Sequence, residues 1–138
     1  RWRGDDERLR RARSPPGRTP VKVAYLDSSA VVKLVIPEAE SKELLDFVRQ
    51  LDRAISSELT VIEVGRAASR ANGEAGLNRA VEACRRIDLQ PIDSHIIDRA
   101  RRLQPAGLRS LDAIHLASAL EPRVSASMEP FMSQSWRT

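Results

Sequence analysis

The chain has 138 residues, a net charge of +4 and one cysteine, Cys84. A lone cysteine excludes an internal disulfide and a cysteine-based zinc site. No apolar run is long enough to cross a membrane as a helix, so the expectation is a single soluble, cytoplasmic domain with one core. Residues 1–20, RWRGDDERLRRARSPPGRTP, hold seven arginines against three acids and so carry the entire net charge. With so little to bury, they read as a disordered basic extension. Residues 21–138 balance at sixteen basic and sixteen acidic side chains, so net charge by itself does not make this domain a nucleic-acid binder. Val21 directly precedes the first strand, and valine can be encoded by an alternative bacterial start codon. The native domain is therefore expected to span 21–138, with residues 121–138 atypical.

From Val21 the chain reads VKVAYLDSSAVVKL. Its first six residues suit a strand buried on both faces. Asp27 follows, then Ser28 and Ser29, then an apolar run as far as Pro37. Ser41 is placed to cap a helix reaching Arg53, with Leu44, Leu45, Val48 and Leu51 at helical spacing. Ala54 to Ser56 reads as a second strand. A helix from Glu58 to Ala71 follows, stopped by Asn72-Gly73, and then another from Ala75 to Ile87. Leu89 to Ile92 reads as a third strand at an edge, because Pro91 cannot donate to a ladder. Helices over 94–103 and 111–120 complete the regular pattern, the second capped by Ser110. Beyond Glu121 only Pro130-Phe131-Met132 hints at a strand. Alternating strands and helices predict a parallel sheet with helices on both faces.

Three carboxylates stand in otherwise apolar surroundings. Asp27 ends the first strand, the place where an open α/β fold keeps its chemistry. An acid and two serines there are equally good helix caps. Glu63 lies between Ile62 and Val64, and pairing with Arg66 or Arg70 at helical spacing would account for it. Asp112 falls in the first turn of its helix, where the helix dipole alone favours it. Converging carboxylates require a cation or a proton. An all-oxygen set without a thiolate or imidazole pattern points to Mg2+ or Mn2+. His95 and His115 sit in unrelated helical settings. His115, one turn after Asp112, is placed either to orient it or to serve as a structural histidine. Neither a glycine-rich phosphate loop nor a nucleophile elbow occurs.

Taken in order, YLDSSAVVKL, SSELTVIEVGRA and LRSLDAIHLASAL closely resemble the PIN-domain ribonucleases, and most of all the VapC-type toxins of bacterial toxin–antitoxin modules. The resemblance covers about Val21 to Leu120. It implies a three-layer α/β/α fold with a central parallel sheet. It also implies that Asp27, Glu63 and Asp112 are the catalytic, metal-binding acids, with Ser29 as a small polar residue supporting Asp27. The implied reaction is hydrolysis of RNA phosphodiesters with Mg2+ or Mn2+. The implied partners are an RNA substrate, a small cognate antitoxin protein and a second copy of the chain in a homodimer, with no membrane.

The sequence departs from the family pattern at its end. A fourth acid usually follows a final strand, in a pattern like Phe-Val-Thr-Tyr-Asp. Phe131-Met132-Ser133 aligns with its opening, but Gln134 and Ser135 stand where Tyr and Asp are expected. A frameshift or truncation near residue 121 or 133 is the expected explanation. Glu121 and Glu129 are the acids left to take that place, and neither sits in the matching pattern. The alternative reading is therefore a catalytically degenerate PIN-like domain that binds antitoxin or RNA without cleavage. A receiver-like signalling domain fits the sheet pattern but not the spacing of the acids.

Overall fold

Short apolar runs alternating with helical repeats build a parallel sheet whose crossovers are helices. The computed structural model describes residues 20–122. The chain runs through β1 (Val23–Tyr25), α1 (Ser28–Val35), α2 (Ser41–Arg49), β2 (Arg53–Ser57), α3 (Leu59–Cys84), β3 (Asp88–Gln90), α4 (Ser94–Arg102) and α5 (Ser110–Leu120). β2 lies between β1 and β3 and pairs parallel with both, Tyr25 opposite Ile55 and Ile55 opposite Asp88. Helices α1, α2 and α3 pack together, whereas α4 packs on α5 and α5 on β2. The result is a three-layer α/β/α arrangement. Its main core joins Leu26, Val31, Val48, Ala54, Val64 and Ala68.

Several boundaries differ from the sequence reading for identifiable reasons. β1 is shorter than expected, and Val23 is 42% exposed, because among the described residues β1 has β2 as its one neighbour. The helix expected to reach Arg53 stops at Arg49, and Arg53 instead enters β2. There its buried guanidinium holds Asp88 of β3, with Nε and Nη2 each 2.7 Å from Oδ2. Ser41 is the first residue of α2 rather than its cap, and its hydroxyl accepts the Glu38 N–H at 2.7 Å. β3 ends before Pro91, as the missing N–H requires.

The break read at Asn72-Gly73 is a sharp bend within α3. Gly73 takes φ 58° and ψ −140°, a conformation reserved to glycine. The two arms then fold back closely. A Cβ on Gly76 would stand 2.1 Å from the Ala68 carbonyl oxygen, and one on Gly65 would sit 3.4 Å from Leu77 Cδ1. No described helix is long and apolar enough to cross a membrane. Residues 1–19, the hinted strand at Phe131-Met132, Glu129, and Gln134 and Ser135 lie outside the described residues.

Candidate active site

The carboxyl end of β1 delivers Asp27. Leu26 N–H bonds Ile55 O at 2.7 Å, and the buried Ser56 hydroxyl donates to Leu26 O at 2.6 Å, so the turn out of the strand is tied to β2. Asp27 then caps α1, its Oδ1 accepting the Ala30 N–H at 3.0 Å and the Ser29 hydroxyl at 2.7 Å. The carboxylate's own burial works to raise its pKa. The Ser29 hydroxyl, the Ala30 N–H and nearby His115 outweigh that and hold it below the usual carboxylate range. The same residue thus caps α1 and lines a cavity.

Ser28, next in the chain, points the other way. It shares the buried face of α1 with Val31 and Val35. Its hydroxyl donates to Glu63 Oε1 at 2.6 Å, and lies 2.9 Å from His115 Nε2 and 3.2 Å from Thr60 Oγ1. Thr60 in turn reaches Ser56 at 2.6 Å. Sequence reasoning singled out Ser29 and passed over Ser28. The available signal was helical phase, since a serine three and seven residues before two buried valines lies on the same face.

Glu63 comes from the first arm of α3. Its partners are Ser28 and His115, at 2.8 Å from Oε1 to Nε2, rather than Arg66 or Arg70. His115 comes from α5, and its ring nitrogens go to Tyr25 and Glu63 rather than to Asp112. Tyr25 Oη is 2.8 Å from His115 Nδ1, and the two rings meet edge to face with centroids 6.1 Å apart. Burial is the main cause that pushes the Tyr25 phenol up to about 12.

Asp112, in the first turn of α5, lines the same cavity as Asp27 and Glu63. That cavity has a volume of about 490 Å3, and Ser28, Ser29, Tyr25, His115, Leu108, Leu116 and Ala119 complete its wall. A second cavity of about 510 Å3 lies against α3, lined by Val61, Ile62, Arg66, Arg70 and Leu77 among others, and holds no carboxylate. The chemistry therefore singles out the first. Glu121 is not in its wall, being engaged by His95 and Arg99 of α4. Glu121, one of the two acids left to take the missing place, is thus held by the His95 ring and the Arg99 guanidinium instead.

The donor set suits a hard divalent cation, since three carboxylates and several hydroxyls face one open space without sulfur ligands. Among the described residues no three His, Cys, Asp or Glu side chains stand close enough to enclose an ion together. The arrangement accordingly fits an ion that keeps part of its water shell and takes one or two carboxylates, as Mg2+ does, and not a closed structural site.

A PIN domain model matches residues 24–125. The chain is 43% identical over 95 residues to Ribonuclease VapC46 of Mycobacterium tuberculosis, covering 69% of this chain and 72% of that protein. It is 37% identical over 101 residues to Ribonuclease VapC47 of the same organism, covering 70% and 74%. A third relative, Ribonuclease VapC35, is 43% identical over 97 residues, covering 69% and 71%. No solved structure matches the chain significantly.

Proposed function

Because this chain belongs to the PIN-domain family, among ribonucleases of the VapC type, we propose that it is an endoribonuclease toxin whose active site is the cavity walled by Asp27, Glu63 and Asp112. The observation that carries the proposal is the shared cavity itself. Acids 36 and 49 positions apart in the chain, from β1, α3 and α5, face one space. In this reading Asp27, Glu63 and Asp112 together form the site for Mg2+ or Mn2+, one or two of them as direct ligands and the others through the ion's water shell.

The residues divide the work by environment. Asp27 is ionised throughout the physiological range, because Ser29 and the start of α1 favour its charged form. Glu63 is anchored through one oxygen by Ser28 and His115. Asp112 closes the acidic wall from the start of α5. Three negative charges repel an RNA phosphate, so substrate approach requires a counter-charge in the cavity. A divalent cation bound there would lower the pKa of a water and offset charge on the leaving oxygen. Leu108, Leu116 and Ala119 give the cavity an apolar surface against which a nucleotide can lie.

The VapC reading carries a cognate antitoxin protein that covers the acidic cavity, and a second copy of the chain as dimer partner. A second function, binding without cleavage, is favoured by one observation: Glu121 is spent on His95 and Arg99 and leaves the cavity with three acids among the described residues. Cleavage of single-stranded RNA by the 138-residue chain, with Mg2+, with Mn2+ and with chelator, separates the two. The enzyme reading expects internal cuts that chelator abolishes and that Asp27→Asn and Asp112→Asn reduce at least about 100-fold. RNA left intact under every metal condition, with antitoxin still bound, contradicts it.

A further inference from the structure

Glu63 is held by one side only. Ser28 Oγ donates to Oε1 at 2.6 Å and His115 Nε2 stands 2.8 Å from the same atom, whereas Oε2 takes neither bond. Carboxylate torsions are broad and roughly two-fold, so a glutamate without such bonds exchanges its two oxygens freely. Two donors on a single oxygen remove that freedom.

His115 is itself fixed from behind. Tyr25 Oη lies 2.8 Å from Nδ1, and the rings pack edge to face at 74°. The phenol hydroxyl at this distance can donate its proton to Nδ1. The ring proton then belongs on Nε2, which donates to Glu63. Tyr25 and His115 come from β1 and α5, so this relay clamps the glutamate between the sheet and the last described helix.

From this geometry we infer that His115, backed by Tyr25, is a positioning residue that together with Ser28 pins one oxygen of Glu63 and leaves the other to face the cation. The inference rests on the metal-dependent reading above and adds the device that orients one of its ligands. Hydrogen-bonded partners of this kind, held behind a metal ligand, are typically worth 10–100-fold in metal affinity.

The test is Mn2+ affinity by titration calorimetry for the wild-type chain, His115→Leu, His115→Gln and Tyr25→Phe, with cleavage kinetics alongside. His115→Leu is expected to bind Mn2+ about 10–100-fold more weakly, with kcat lowered and KM for RNA unchanged. His115→Gln keeps an N–H donor for Glu63 and should recover most of the affinity, and Tyr25→Phe should fall between it and His115→Leu. Wild-type affinity in a folded His115→Leu overturns the positioning role and leaves the metal reading standing. A wild-type chain that binds no Mn2+ overturns both. Where His115→Leu does not fold, Tyr25→Phe decides, and wild-type affinity in that variant overturns the role.

Discussion

Two adjacent serines provide a sharp test of how the site is built. Ser28 is 8% exposed and donates to Glu63 Oε1 at 2.6 Å, with His115 Nε2 and Thr60 Oγ1 also in reach. In Ser28→Ala, Thr60 keeps its 2.6 Å bond to Ser56 and His115 keeps its 2.8 Å bond to Glu63. Neither partner is orphaned, so the loss is chiefly one partly buried hydrogen bond to a carboxylate, about 2 kcal/mol. For a chain of this size that lowers Tm by about 8 °C. Ser29 is exposed and shares Asp27 Oδ1 with the Ala30 N–H, so Ser29→Ala should cost about 0.5 kcal/mol or less. Urea denaturation followed by circular dichroism measures both. Cleavage should fall about 10-fold in Ser28→Ala and only a few-fold in Ser29→Ala, since the bond lost at Glu63 is partly buried whereas the one lost at Asp27 is exposed and leaves the Ala30 N–H in place. Equal destabilisation by the two changes, or a larger effect at Ser29, would refute the reasoning.

Other expectations follow from the same structure. Asp88→Ala strands the buried Arg53 guanidinium and should cost about 3 kcal/mol, and Arg53→Met combined with Asp88→Leu should recover most of it; chemical denaturation of the three variants checks the sign. Gly76→Ala puts a methyl 2.1 Å from the Ala68 carbonyl oxygen and should cost about 3 kcal/mol, and Ala68→Gly should not rescue it because the obstacle is backbone. The Asp27 carboxyl titrates below its unfolded value, so its stabilising contribution is complete above about pH 4 and fades as pH falls through the folded pKa. A profile of Tm against pH should therefore lose part of its acid-side slope in Asp27→Asn.

Local chemistry explains which features were legible. The break at Asn72-Gly73 and the place of α5 depend on turn residues and short-range periodicity, readable within a few positions, whereas β3 stops before Pro91 rather than running to Ile92, and Ser110 begins α5 rather than capping it. Arg53 was misplaced because its partner, Asp88, lies on the neighbouring strand and only the sheet register brings the two together. Ser28 and His115 were undervalued for the same reason, being 87 residues apart and meaningful only once α1, α3 and α5 converge. In sequence Asp27 reads equally as a cap or a site residue; its Oδ1 caps the start of α1, and the residue also lines the cavity. Glu121 looked available in sequence and is instead neutralised by α4.

The central claim is that Asp27, Glu63 and Asp112 form one cation site. Crystals of the chain soaked in Mn2+ and measured at the manganese absorption edge test it most directly. The account predicts an anomalous peak inside the cavity between β1, α3 and α5, within coordinating distance of at least one of the three acids and lost in Asp27→Asn. A peak outside that cavity, or none under conditions in which the same preparation cleaves RNA, would contradict it.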